Sequence, residues 1–438
     1  MVTDSGSADR YAPRPPLPLS HPSWTREATI YQINTRQFTA EGTLAAARGQ
    51  LPRLADLGVS ILWLMPVHEI GKVGRKGRLG SPYAVRDRYS VSSELGTEDD
   101  LAAFIAAAHA LGMRVILDWV PNHTAWDHVL VEEHPEWYHR SETGALRPAP
   151  WWDWDDIVEL DYDIPEMRAW MTAAMRYWVQ EFDIDGYRVD VAGFVPLDFF
   201  AQVRAELEEI KPVFLLAEWE SRDLHTVFDA TYGISWHDAG RRIYAGELDA
   251  VALRVHYSWD QRFWPSDAQR MNYLTNHDIN AWDGTDAERF GQSWEAFTVL
   301  SFVGEGMPLI YNGQEAGLDV RLDFFDRDPI RWADHPRADV YRRLVDLKKR
   351  MPCLHNAPWG ASMRPLDAGD PTKVLAFERE SDGGRVLAAF NLSAAPVDLD
   401  LRGTSFPGSW QDWRTGEHRE IGSQTTIRLD AWDYLLLT

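Results

Sequence analysis

Eight short apolar runs recur between about residues 28 and 350, most of them separated by segments of helical period. They cover 29–34, 60–65, 114–118, 186–190, 213–218, 227–231, 272–276 and 308–311. Runs of this length, without polar alternation, suit strands buried on both faces. Between them, Met167, Trp170, Met171, Ala174, Trp178 and Phe182 fall at helical spacing in a segment opened by Pro165. Leu101, Phe104, Ile105, Ala108 and Leu111 do the same before the third run, and Gly112 ends that segment. Eight strand–helix units predict an α/β chain closed into a (β/α)8 TIM barrel. The sixth run carries the weakest strand signal, and Pro52 predicts a kink or a late start in the first helix.

Two stretches break the alternation. Residues 66–96 read as a long Gly-rich loop after the second strand, and residues 124–163 as a larger excursion after the third. Loops at the C-terminal ends of barrel strands build active sites, so both are expected to line a cleft. Beyond residue 352 the rhythm becomes 374–379, 385–391, 425–429 and 434–437, short strands split by Gly, Pro, Asp and Ser, which predicts a small all-β domain. The expected layout is therefore an arm at 1–27, extended like polyproline over 13–18, a catalytic barrel at 28–123 and 164–351, the excursion at 124–163, and a β domain at 352–438.

Several apolar runs finish in acids. Asp190 closes FDIDGYRVD, Glu218 closes VFLLAE, Asp118 is followed by Asn122 and His123, and His277-Asp278 follows MNYLTN. Carboxylates at successive strand ends share one rim, and two acids converging on one bond can cleave a glycoside. In GYRVD, Gly186, Arg188 and Asp190 share one strand face, while Tyr187 and Val189 point to the helices. Arg188 is expected to lower the Asp190 pKa and keep it ionised as a nucleophile. Glu218, after Leu215, Leu216 and Ala217, is expected in an apolar setting that raises its pKa for use as a general acid. Glu220 fits a helix-capping role better than Glu218 does. Neutral histidines and carboxylates at the other strand ends suit sugar hydroxyls.

Composition narrows the classes. A net charge of −23 argues against nucleic acid and anionic membranes as partners. No apolar stretch approaches the roughly 18 residues of a membrane span. The N-terminus lacks the basic start and apolar core of a secretory signal, and Cys353 is the lone cysteine, so a cytoplasmic location is expected. Most of the 21 tryptophans are expected in the core, but Trp151-Trp152-Asp153-Trp154 interleaves aromatics with an acid, without burial logic, and suits sugar faces. Lys72, Arg75, Lys76 and Arg78 form a basic cluster before Tyr83, read as a solvated loop, a contact for an acidic or phosphorylated sugar, or a mobile lid.

Taken together, DWVPNH, GYRVD, the Glu of LLAEWE and TNHD resemble the four ordered signature regions of the α-amylase family (glycoside hydrolase family 13). LADLGVSILWLMPV, GSPYAVRDRY and GMPLIYNGQE add to the likeness, which spans roughly residues 28–350. The resemblance implies a short domain B after strand 3 and a C-terminal antiparallel β-sandwich. It implies Asp190 as nucleophile, Glu218 as acid/base and Asp278 as the third catalytic acid. Arg188 would orient the nucleophile, His123 and His277 would bind the glycone sugar, Tyr83 would stack on it with Asp87 as its nearby partner, and Asp118 would act from behind. Double displacement then predicts carboxyls about 5–5.5 Å apart.

The expected substrate is an oligosaccharide, most simply a malto-oligosaccharide with α-1,4 bonds. The alternatives are a transglycosylase or phosphorolytic relative, a disaccharide-specific α-glucosidase, a retired binding subunit and a metal-dependent barrel enzyme. Where many relatives carry a Lys-His pair whose carbonyl helps bind calcium, this chain has Gly193-Phe194. No cofactor is expected to be required, and calcium remains at most an optional ligand, with Asn122, Asp153, Asp155, Asp156 and Asp161 as oxygen donors. Oligomeric state is left open.

Overall fold

The computed structural model describes residues 19–148, 153–401, 404, 407–422 and 425–438. The arm at 1–18 and Trp151-Trp152 lie outside the described residues. Eight parallel strands close a barrel: β1 (Ile30–Ile33), β2 (Ile61–Leu64), β3 (Arg114–Trp119), β4 (Gly186–Val189), β5 (Phe214–Ala217), β6 (Ala230–Tyr232), β7 (Gln269–Asn272) and β8 (Met307–Tyr311). Each strand pairs with its neighbours in chain order, and β8 returns to β1.

Side-chain alternation divides this barrel into two cores. Tyr31, Leu62, Leu64, Val115, Leu117, Tyr187, Val189 and Leu215 face outward into the shell of helices. Ile30, Ile61, Trp63, Ile116, Phe214, Leu216, Met271, Met307 and Leu309 fill the interior. That packed interior is a floor, and the polar inward positions stand above it at the C-terminal ends of the strands. Gly186 has to be glycine: a Cβ there would sit 1.9 Å from the Phe214 carbonyl oxygen, where β4 crosses close to β5.

Two strands are displaced from their expected runs. The sixth, expected at 227–231, begins at Ala230, because residues 223–226 form a 3₁₀ turn. The seventh, expected at 272–276, is Gln269–Asn272. Gln269 and Arg270 are buried polar residues and gave no apolar signal: Gln269 bonds Thr25 and the Ala357 carbonyl, and Arg270 pairs with Glu220 and Asp260. The first helix is two helices, Leu44–Arg48 and Leu51–Leu57, with Pro52 in the first turn of the second, so the late start is what occurs. The helices Glu98–Ala110 and Pro165–Phe182 form where their periodicity placed them.

The stretch 66–96 is more ordered than a loop: His68–Ile70 pairs antiparallel with Val85–Val91. After β3, His123–Ala125 pairs with Ile157–Glu159, closing the base of the excursion. The chain ends in an antiparallel domain. One sheet contains Arg364–Pro365, Val374–Ser381, Gly384–Asn391 and Tyr434–Leu437; facing it are the pairs Val397–Asp400 with Thr426–Leu429 and Gly408–Gln411 with His418–Ile421. Leu387, Ala389 and Leu435 meet Leu399, Trp410 and Ile421 in a core between the layers. The other face of the four-stranded sheet, including Phe377 and Phe390, joins the core that covers the barrel helices. Among the described residues, no helix is long and apolar enough to cross a membrane.

Candidate active site

Arg188, fully buried on β4, organises the rim. Its Nη1 donates to Asp118 Oδ1 at 2.7 Å and to Asp190 Oδ1 at 3.1 Å, and its Nε donates to the Tyr232 hydroxyl at 3.2 Å. Its Nη2 lies 2.7 Å from Glu218 Oε1, a close ion pair without hydrogen-bond alignment. The fork therefore touches three carboxylates, its positive charge lying over the ring faces of Trp63, Tyr83 and Tyr232. Glu218 Oε2 also accepts the Val191 N–H at 2.7 Å. Val191, directly after Asp190, sits at φ 37°, a left-handed conformation costly for a β-branched residue, and this turn aims its N–H at Glu218.

The electrostatics differ from the sequence expectation. Burial and the Glu218 charge push Asp190 well above the usual carboxylate range, outweighing the lowering by Arg188. Asp118 and Asp278 are each raised to about 6, chiefly by burial, against the pull of Arg188. Nor is Glu218 set in an apolar pocket: a guanidinium and a backbone N–H hold its carboxylate. The helix-capping acid is Glu220, which accepts from the Ser235 N–H at 2.8 Å in the first turn of Ile234–Tyr244.

A chain of hydrogen bonds fixes the histidine tautomer. The His277 N–H donates to Gln32 Oε1 at 3.3 Å, which turns the Gln32 amide nitrogen to His277 Nδ1 at 2.7 Å. Nδ1 is thus the acceptor and Nε2 carries the proton, 2.6 Å from the Tyr83 hydroxyl and 3.3 Å from Asp278 Oδ2. Tyr83 donates onward to Asp118 Oδ2 at 3.0 Å, beside the Trp63 indole N–H at 3.1 Å. Burial lowers His277 and His123 to about 3, so both are neutral.

Tyr83, His123, Asp190, Glu218 and Asp278 line one cavity of about 500 Å³, with Trp154, Trp282, Phe324, Phe325 and Lys76 among its other walls. That volume suits a small oligosaccharide. A larger groove of about 800 Å³, between the helix Val251–Phe263 and the C-terminal sheet, is lined by no carboxylate and offers none of this chemistry. Asp118 and Arg188 lie directly behind the cavity wall, and His277 is joined to it through Tyr83. Asp87 departs from expectation: it is exposed on Val85–Val91, accepts the Tyr89 N–H, and is not part of the cavity lining. The buried residue of that segment is its neighbour Arg88, which donates to the His123 carbonyl at 2.6 Å. Sequence reasoning missed Gln32, Trp63 and Tyr232. A lone glutamine inside the apolar run IYQI was the available signal for the first.

The basic cluster resolves into internal pairs. Arg75 donates to the Gly71 and Ile70 carbonyls, Arg78 pairs with Asp326 at 2.7 Å, and Lys76 lies 3.2 Å from Asp155 and 3.7 Å from Asp156. Three of the four cations are thus paired with protein acceptors.

Six buried histidines govern the acid side of stability. His68, His123, His128, His237 and His277 are lowered to about 3, and His225 well below 6.5, each mainly by burial. The unfolded chain binds more protons at these sites below pH 6.5, so their stabilisation is complete above 6.5 and is lost as pH falls towards 3. The raised carboxylates Asp118, Asp190 and Asp278 act oppositely, since their folded forms hold protons longer, but six groups outnumber three. The urea midpoint is expected to fall steadily from pH 7 to pH 5; a flat or rising midpoint would sink this assignment.

A family model described as the α-amylase catalytic domain matches residues 23–359, and one described as the maltogenic amylase C-terminal domain matches 363–436. An α-amylase of Haloarcula japonica is 27% identical over 94% of this chain, which spans 62% of that relative's length. The crystal structure of a maltogenic α-amylase from Thermotoga neapolitana superposes with a TM-score of 0.85 at 30% identity, covering 94% of this chain and 98% of that one. An α-amylase from Lactobacillus plantarum gives 0.84 at 29% identity, over 95% and 99%.

Proposed function

This chain belongs to the α-amylase family of glycoside hydrolases, and on that premise we propose that it cleaves α-1,4-glucosidic bonds in malto-oligosaccharides and related α-glucans with retention of configuration. The observation that carries the reading is the shared guanidinium. Asp190 and Glu218 each sit on a terminal nitrogen of Arg188, at 3.1 and 2.7 Å, so one guanidinium gathers both acids at the wall of the same cavity.

In this mechanism the proton that burial and the mutual repulsion of the two acids keep in the site rests on Glu218 in the reactive state. Glu218 gives it to the departing glycosidic oxygen as the ionised Asp190 bonds the anomeric carbon. Glu218 then takes a proton from water as that water displaces Asp190. Asp278 holds glycone hydroxyls, with His123 adding a neutral donor or acceptor, while the protonated Nε2 of His277 holds the Tyr83 hydroxyl behind them. The sugar face stacks on Tyr83, whose ring is fixed against His277 and Phe324. Trp219 and Phe194, 5.2 Å apart on the Glu218 side, offer a platform for the leaving sugar.

The reaction as proposed uses no metal. Lys76 reaches the Asp153 carbonyl and stands beside Asp155 and Asp156, while the Arg88 guanidinium takes the His123 carbonyl. Of the oxygen donors named for calcium, Asp155, Asp156 and the Asp153 carbonyl are thus engaged by Lys76, while Asp161 accepts the Asp163 N–H and the Asn122 carbonyl accepts the Leu160 N–H. Among the described residues, no three His, Cys, Asp or Glu side chains gather as a metal site.

Chromatography of products from maltose, maltotriose, isomaltose, sucrose, trehalose and soluble starch, before and after chelation with EDTA, tests both points. We expect shorter α-1,4 products from maltotriose and starch, released first as the α-anomer, with rates unchanged by EDTA. Products longer than the substrate would replace hydrolysis by glycosyl transfer. A β-anomer would reject retention, and a calcium-reversible loss would reject metal independence.

A further inference from the structure

The segment 71–80 bridges two walls of the cavity. On one side Lys76 reaches Asp155, Asp156 and the Asp153 carbonyl. On the other, the Leu79 N–H donates to the Phe325 carbonyl at 3.0 Å and Arg78 pairs with Asp326. Gly77 approaches Phe325 so closely that a Cβ would lie 2.5 Å from its Cβ, in a turn of φ 61°. Buried Arg36 fastens the far end: its Nη1 donates to the Gly80 and Phe324 carbonyls at 2.9 and 3.3 Å, while Glu94 holds it with two bonds of 2.8 and 3.0 Å. The Arg36 contacts anchor one end of the strap, and Lys76, with a side chain 24% exposed, is its tie across the cavity.

This strap closes a particular end. Phe324 stacks on Tyr83 and His277, and Trp282 packs on Phe324 and Phe325, so the bridged walls continue the face that holds the glycone sugar. On the acid side Asp190, Val191 and Glu218 line the cavity. A glucan can extend past Glu218 but meets the strap beyond Tyr83.

We propose that the 71–80 strap, latched by Lys76, shuts the glycone end of the cleft and makes the enzyme exo-acting from the non-reducing end. This rests on the α-glucan hydrolysis proposed above. Lys76 is then a positioning residue for the mode of attack: its ammonium ties the strap to the 153–156 segment rather than touching the reacting atoms.

The test compares maltoheptaose with maltoheptaose whose non-reducing terminal glucose is capped as a 4,6-acetal. The wild-type protein is expected to cut the capped chain about a hundredfold more slowly, because the cap clashes with a closed end. Lys76→Ala should raise the capped-to-uncapped ratio of kcat/KM about tenfold, by freeing the strap, and Lys76→Arg should keep the wild-type ratio. Equal cutting of both substrates by the wild type would overturn exo action while leaving the hydrolase reading intact. An unchanged ratio in Lys76→Ala would overturn the latch. Failure to cut either chain would remove the underlying reading and this one with it.

Discussion

Asp190→Asn should lower kcat on maltotriose by about 10⁴-fold with the melting temperature kept or raised. An amide cannot form the glycosyl ester, yet its oxygen can still accept from Arg188 Nη1 where the carboxylate now accepts at 3.1 Å. The change also takes one negative charge from a buried group of acids, whose burial and mutual repulsion already hold Asp190 well above the usual range. Glu218→Gln should cost about 10²–10⁴-fold on the same substrate. The two variants separate by leaving group. A maltosyl fluoride needs no proton to depart, so Glu218→Gln should lose little of the first step with it, and azide should restore turnover by attacking without a base. Asp190→Asn should gain nothing from either. If Asp190→Asn kept more than about a hundredth of wild-type turnover, or Glu218→Gln suffered equally with fluoride and maltotriose, the roles would have to be reassigned.

The barrel was legible because its strands are buried on both faces, so their apolar runs stand out without alternation. Where a strand carries buried polar residues the reading slipped, as at β7, whose Gln269 and Arg270 are satisfied by partners remote in sequence. Val85–Val91 was hidden for the same reason: its Arg88 is fully buried, yet the segment VRDRYSV looks solvated. The acids that line the cavity lie at the strand ends where the sequence placed them, and side-chain alternation put Gly186 and Arg188 inward as expected. Their protonation was not legible. Arg188 is two residues from Asp190, but Glu218, which raises it, is 28 positions along the chain, and burial comes from the whole barrel. The segment 71–80 was legible only as a basic cluster, because the partners of Lys76 and Arg78 come from loops after two other strands.

Arg188→Leu is the substitution expected to cost most in both stability and rate. The side chain is 0% exposed and its fork is in contact with Asp118, Asp190 and Glu218, while Asp278 also feels its charge. Leucine fills much of the space but leaves those acids without their shared cation. Breaking a buried pair from one side typically costs about 3–5 kcal/mol. The sign of its pH dependence identifies the cause. Arg188 lowers Asp118, Asp190 and Asp278 in the wild type, so its loss raises their folded values further. The variant's folded state then holds more protons than that of the wild type, and its stability deficit must shrink as pH falls from 7 towards 5. A packing defect would leave the deficit constant. Arg188→Lys keeps one charge but not the planar fork, and a single ammonium cannot hold two carboxylates in register while bonding the Tyr232 hydroxyl. It should therefore recover part of the stability and little of the kcat. Urea midpoints of the three proteins at pH 5, 6 and 7, with maltotriose kcat measured alongside, decide the matter. A deficit independent of pH, or a lysine variant with near wild-type turnover, would mean that Arg188 packs the barrel rather than setting the charge and aim of Asp190.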